Sequence, residues 1–121
     1  MIIGIGVDAC PVERMRAALE RRPGLADRLF RPGEQLKNGR PRQAESMAAR
    51  FAAKEALIKA MGSAGTWLDA EVINDEVGKP GFQLHNDVAR RAESLGIEKI
   101  HLAISHDGGM AIAMVVCEGN R

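Results

Sequence analysis

Aromatic residues are scarce in this chain: three Phe, one Trp and no Tyr in 121 residues. Few flat surfaces are left for stacking bases, which argues against a single-stranded nucleic-acid module, so no nucleic acid is expected as a partner. Cysteine is rarer still, with only Cys10 and Cys117. They allow one disulfide at most, and no amino-terminal basic, apolar and cleavage-site pattern marks secretion, so a reduced, cytoplasmic setting is the expectation. No apolar run approaches the roughly 18 residues of a spanning helix, which removes the membrane as a partner. Internal repeats and low-complexity segments are absent too. What is there reads as one domain over residues 1–121, 45% hydrophobic and 27% charged, with an aliphatic core rich in alanine and methionine.

The net charge of +1 hides a segregation. From Pro11 to Arg50 the cations are Arg14, Arg16, Arg21, Arg22, Arg28, Arg31, Lys37, Arg40, Arg42 and Arg50, set against Glu13, Glu20, Asp27, Glu34 and Glu45. The first half is basic and the rest acidic. This suits an anionic partner, an acidic protein or a phosphorylated ligand; scattered solvated arginines are the alternative.

Met1 to Asp8 (MIIGIGVD) is short, β-branched and interrupted by glycine, the pattern of a buried strand that another backbone or a ligand approaches closely, ending at Asp8. A helix is predicted from Pro11 to about Arg21 with Val12, Met15 and Leu19 inward, then a short helix from Leu25 to Leu29, a Pro32-Gly33 turn, a further helical turn from Glu34 to Lys37 and a break at Asn38-Gly39. The long helix spans Arg42 to Met61, with Gly62 as its left-handed terminator. Asp69 to Asn74 and Phe82 to Leu84 read as a hairpin around DEVGKP, and Asn86 to Leu95 as a helix. Lys99 to His106 and Met110 to Glu118 are period-two strands joined at Asp107-Gly108-Gly109. Without regular βαβ alternation the pattern predicts an α+β fold.

Within RFAAKEALIKAMG (Arg50 to Gly62), Glu55 falls between Ala48, Phe51, Ala52 and Ile58, in the middle of the apolar stripe, with Lys59 one turn on. A carboxylate there needs a cation: a lysine, an arginine or a metal. Either the helix lines a polar site, or Glu55 and Lys59 merely pair at i,i+4. Gly4 to Ala9 matches GxGxxA in name only, because a dinucleotide fingerprint needs a whole strand before its first glycine. Asp8 at a strand end is either a ligand for a hard cation or an N-cap for the Pro11 helix. Together with Glu55, waters and phosphate oxygens it would complete an octahedral Mg²⁺ site. Ser105 and His106 precede the last turn; as strand neighbours they point to opposite faces and form no nucleophile–base pair, though His106 suits a phosphate. His101 reads as structural, Cys117 as a small buried hydrophobe and Cys10 as incidental.

Taken together, GIGVD, RFAAKEALIKAMG, the GKP turn and the HLAISHDGG-MAIAMVV hairpin resemble the short bacterial 4′-phosphopantetheinyl transferases, the holo-[acyl-carrier-protein] synthase family, over nearly the whole chain. The resemblance implies an antiparallel sheet packed on a long helix and transfer of 4′-phosphopantetheine from coenzyme A to a serine of apo acyl carrier protein, releasing adenosine 3′,5′-bisphosphate, in support of fatty acid biosynthesis. It further implies Asp8 and Glu55 as Mg²⁺ ligands and catalytic groups, with Lys59 at the same phosphates. Coenzyme A contacts are implied at Arg50, Lys59, Gly62, Pro80, Ser105 and His106, carrier-protein docking at Arg14 and Arg21, and a homotrimer with sites between subunits. Two departures stand out: Ala103 where the family's strand has serine, and Gly62-Ser63-Ala64-Gly65 after the long helix. A non-catalytic module that sequesters coenzyme A and a Mg²⁺-dependent nucleotide hydrolase are the rival classes, separated from the transferase by turnover on a carrier protein.

Overall fold

The amino-terminal strand β1 (Ile2–Pro11) carries glycines where a helix crosses it. A computed structural model describes residues 1–62 and 65–120, so Ser63 and Ala64 lie outside the described residues. The helix is the eighteen-residue segment Ala44–Met61, and its backbone lies directly on β1. A Cβ on Gly4 would stand 1.9 Å from the carbonyl oxygen of Ala60, and one on Gly6 1.8 Å from that of Ala56. Only glycine admits this approach.

Before that helix come α1 (Val12–Arg21), α2 (Leu25–Leu29), a 3₁₀ turn at Pro32–Glu34, and the two-residue strands β2 (Leu36–Lys37) and β3 (Arg40–Pro41), so the long helix is α3. After it come a 3₁₀ turn at Trp67–Asp69, the hairpin β4 (Ala70–Asn74) and β5 (Pro80–Leu84), α4 (Asn86–Ser94), β6 (Ile97–Asp107) and β7 (Met110–Gly119). The main sheet is antiparallel in the order β1-β7-β6. Gly108 and Gly109, both at positive φ, close the β6–β7 turn that Asp107-Gly108-Gly109 predicts.

Alternation decides which face of the sheet is covered. Ala111, Ala113, Val115 and Cys117 of β7 are fully buried against Ala52, Ala53, Ala56 and Leu57 of α3, and the alanines on both sides let helix and sheet close up. The opposite face carries Ile5, Val7, Ile112 and Met114, all exposed. The expectation of a buried opening strand therefore holds for one face only. β1 also continues three residues past Asp8, because Asp8, Ala9, Cys10 and Pro11 stay in register with Ala113 to Met110. Asp8 is accordingly no N-cap: that position is Pro11, which has no side chain able to cap.

Two other expectations change. Glu34 to Lys37 do not form a helical turn; Asn38 and Gly39, at φ 53° and 76°, fold β2 back on β3 as a tight hairpin. Second, α3 is surrounded by β1, β7, α1 and β4, so it buries residues nearly all round instead of along one stripe. Its fully buried charge is then Lys54, paired at 2.9 Å with buried Glu34, while Glu55 is only half-buried. Cys10 and Cys117 are both buried and free. Among the described residues no helix is long and apolar enough to cross a membrane.

Candidate active site

Asp8 sits on β1 opposite Ala113, with its carboxylate beside the exposed end of Lys59. Lys59 Nζ donates to Asp8 Oδ1 at 2.9 Å and to the Val7 carbonyl at 3.2 Å. The alternative in which Lys59 merely serves Glu55 is thus displaced by a longer-range pair. The hydrogen bond to Asp8, then the charge of Asp8, hold the Lys59 ammonium above its usual range, and Glu55 adds to this.

Glu55, one residue before the Ala56 carbonyl that touches Gly6, meets Asp8 across a cleft of about 390 Å³. Arg14 lies at the same cleft, whose remaining wall is largely apolar: Cys10, Phe51 and Trp67 among others. Cys10 is therefore a wall residue, not an incidental one. The close crossing of β1 and α3 fixes the spacing of the two carboxylates, since neither backbone can slide nearer. Among the described residues no three His, Cys, Asp or Glu side chains converge on a metal position. Two hard oxygen donors in one cleft do fit Mg²⁺, which keeps several waters and takes phosphate oxygens as further ligands.

A second cleft, of about 370 Å³, opens on the other side of α3, lined by Arg42, Arg50, Gly78, Pro80 and His106 among others. Arg50 donates through Nη1 to the Val72 carbonyl at 2.9 Å and through Nη2 to Asn74 Oδ1 at 2.7 Å, bracing β4. Its Nε, like that of Arg42, is buried without a partner. Burial, then the like charge of Arg42, pull Arg50 down to about 10, and burial lowers Arg42 as well. Neither guanidinium has a carboxylate at ion-pair distance among the described residues, so the cleft is short of negative charge. His106 adds a ring whose Nδ1 lies 3.3 Å from Glu45 Oε1. Such an arrangement receives an anion.

Sequence reasoning did not single out Arg42 or Trp67. Arg42, Ser46 and Arg50 recur every four residues, a one-face spacing that was available as a signal. Trp67 had none, since the cleft it walls is completed by Asp8 and Glu55, residues of other elements that no local pattern around Trp67 brings together. Several expected residues are not gathered. Ser105 is on the outer sheet face opposite Ile112, away from His106 opposite Ala111. Gly62 ends α3 at φ 79°, and Arg21 closes α1, exposed and away from the cleft that Arg14 joins. His101 bonds Glu118 at 2.5 Å, tying β6 to β7 as a structural histidine would.

An α+β scaffold with two carboxylates in one cleft and under-neutralised arginines in another fits the class of proteins that handle a phosphorylated ligand. The comparisons narrow this class. Residues 4–115 match the family model described as the 4′-phosphopantetheinyl transferase superfamily, and the chain belongs to that family. It is 51% identical over 121 residues to the holo-[acyl-carrier-protein] synthase of Streptomyces avermitilis, covering 98% of each chain. Its fold superposes on the holo-ACP synthase of Plasmodium yoelii with a TM-score of 0.88 at 33% identity, covering 100% of this chain and 98% of that one. The holo-(acyl-carrier-protein) synthase of Bacillus anthracis, solved in complex with CoA (3′,5′-ADP), gives 0.77 at 35% identity over 99% of both chains.

Proposed function

We propose that this chain works as a holo-[acyl-carrier-protein] synthase, moving 4′-phosphopantetheine from coenzyme A to a serine of apo acyl carrier protein. The observation that carries this reading is the meeting of Asp8 and Glu55 in one cleft, with Lys59 on Asp8 and Arg14 at the rim. In the reaction the serine oxygen forms a bond to the phosphorus bearing the pantetheine arm. The bond from that phosphorus to the bridging oxygen of adenosine 3′,5′-bisphosphate breaks, that oxygen keeps the electron pair, and the serine proton passes to a carboxylate of the cleft or to water. The nucleophile belongs to the carrier protein, so this chain contributes positioning and charge.

Asp8 and Glu55 would hold Mg²⁺, which when bound supplies charge neutralisation at the pyrophosphate. Lys59, on its flexible stem beside Asp8, reaches the same phosphates. Arg50 and His106, joined by Arg42, receive the phosphorylated nucleotide end of coenzyme A, with Pro80 at its edge. Arg14 and Arg21 dock the acidic carrier protein along α1; neither makes an ion pair among the described residues.

The two clefts lie on different sides of one subunit, and the outer sheet face exposes Ile5, Val7, Ile112 and Met114. These features support a homotrimer in which the carboxylates of one subunit meet the arginines of the next, with Ser105 and Ala103 turned toward that contact. Gly62, just past Lys59, belongs to the coenzyme A side of the reading. The same reading places the protein in the cytoplasm, in fatty acid biosynthesis.

The test is intact-mass analysis of apo acyl carrier protein incubated with this protein, coenzyme A and Mg²⁺. The expected result is a gain of about 340 Da, the phosphopantetheine group of a metal-assisted phosphoryl-type transfer, that disappears with EDTA. Coenzyme A binding with no mass gain would leave a binding module instead.

A further inference from the structure

Among the described residues, the most completely enclosed charged pair has no part in the mechanism above. Lys54 is 0% exposed, Glu34 is 1% exposed, and they stand 2.9 Å apart. All three protons of the Lys54 ammonium are used: Nζ donates to Glu34 Oε1 at 2.9 Å, to the Trp67 carbonyl at 2.7 Å and to the Ala70 carbonyl at 2.9 Å. The Phe30 ring lies 5.5 Å below it. Glu34 is equally engaged, accepting the Arg31 backbone N–H at Oε1 and the Val72 backbone N–H at Oε2. Burial pulls the Lys54 ammonium below its usual range, and Glu34 opposes that pull.

Stability alone does not account for such a pair, because well-packed apolar side chains of similar volume usually serve as well or better. Its location does. The Trp67–Asp69 turn that Lys54 grips supplies Trp67 to the wall of the cleft holding Asp8 and Glu55. The indole N–H of Trp67 is buried without an acceptor, so the ring makes no anchoring hydrogen bond of its own. Its ring partner is Phe51, with centroids 6.0 Å apart. The rest of the turn is held by Arg31, whose Nε donates to the Leu68 carbonyl at 2.5 Å and whose Nη2 lies 3.2 Å from Asp69 Oδ1. Arg31 is itself held at its backbone by Glu34. Lys54 is also the residue before Glu55, so the anchor and the carboxylate share one helical turn.

We propose that Glu34 and Lys54 are positioning residues for the transfer reaction: the pair fixes the Trp67 wall against the Glu55 turn of α3 and so sets the width of the cleft. This rests on the reading of the Asp8–Glu55 cleft as the transfer site. The test separates folding from positioning. Lys54→Met alone strands a buried carboxylate and is expected to lose stability. Glu34→Gln combined with Lys54→Met removes both charges and is expected to recover most of the melting temperature, yet to stay at least about tenfold below wild type in kcat.

Trp67 is the sole tryptophan, so its emission reports the wall directly. In the double variant it is expected to shift to the red and to become more accessible to acrylamide. Recovery of stability and kcat together, or wild-type emission in a folded double variant, would overturn the proposal. If the double variant does not fold, Glu34→Asp, which keeps both charges but shortens the reach, is expected to show the same red shift and loss of kcat; wild-type values in both would overturn it equally. Glu55→Gln measured alongside separates the two claims, since its inactivity upholds the cleft assignment whatever the pair does.

Discussion

Replacing Gly6 with alanine puts the packing and the site to the same test. The added Cβ would lie 1.8 Å from the Ala56 carbonyl oxygen, 2.8 Å from its carbon and 2.9 Å from the Ala60 nitrogen. All three are helix backbone, so no rotamer change relieves the clash; β1 and α3 must separate by something near 1.5 Å to restore ordinary contact. The sheet face and helix face that part are lined by alanines and valine at zero exposure, so the separation opens voids along the whole contact. Overpacking costs about 1–3 kcal/mol where side chains can yield, and a backbone clash belongs at the top of that range. For a domain of this size about 3 kcal/mol lowers the melting temperature by roughly 10 °C. Asp8 is two residues along the same strand and Glu55 is adjacent to Ala56, so the carboxylates part as well. Thermal melts followed by circular dichroism, with transfer assayed well below the melt, read both effects. Gly81→Ala is the control, since nothing lies within 4 Å of its Cβ position and its φ is not positive. A Gly6→Ala protein melting within about 2 °C of wild type with full activity would show that the β1–α3 contact tolerates a Cβ at Gly6, because that shift is under 1 kcal/mol.

Arg14→Ala is expected to raise KM for the carrier protein about tenfold, some 1.4 kcal/mol, while the KM for coenzyme A stays put; steady-state kinetics with each substrate varied decides it. Arg42→Ala removes one of two under-neutralised guanidiniums, and calorimetry should show coenzyme A affinity falling about 10–100-fold, the worth of a charge-assisted hydrogen bond. Met114→Glu places a charge on the exposed apolar face and is expected to yield monomer by light scattering with transfer lost; a fully active monomer would contradict the shared site. Mixing Glu55→Gln with Arg42→Ala subunits, unfolded and refolded together, should restore about one quarter of the wild-type sites if each site draws on two subunits of a cyclic trimer. No recovery would place both clefts' contributions within one chain.

The elements with strong local signals were legible. Gly108-Gly109 needs positive φ at both positions, and Gly62 does so at the end of α3, so glycine marks both from sequence. The glycines at 4 and 6 announced a close approach, and the partner is the backbone of α3. The reading of Glu55 as the buried charge failed because an amphipathic stripe assumes a helix with one solvent face. α3 is enclosed on several sides, which moves full burial to Lys54 and leaves Glu55 at a cleft. The Asp8–Lys59 pair joins residues 51 apart and leaves no trace in local periodicity. Nor does the separation of Arg50 and His106 from Asp8, which depends on which side of the helix each neighbour packs.

The most direct measurement is the rate of phosphopantetheine addition to apo acyl carrier protein by an Asp8→Asn, Glu55→Gln double variant, followed by intact mass beside wild type at the same Mg²⁺ concentration. Both substitutions keep side-chain volume, and both sites are partly solvated, so circular dichroism and melting temperature should stay close to wild type. A folded protein is expected whose rate falls by at least about 10³-fold, the scale of losing electrostatic stabilisation at a transferring phosphoryl group. A folded double variant that modifies the carrier at the wild-type rate would contradict it and move the chemistry out of the cleft between β1 and α3.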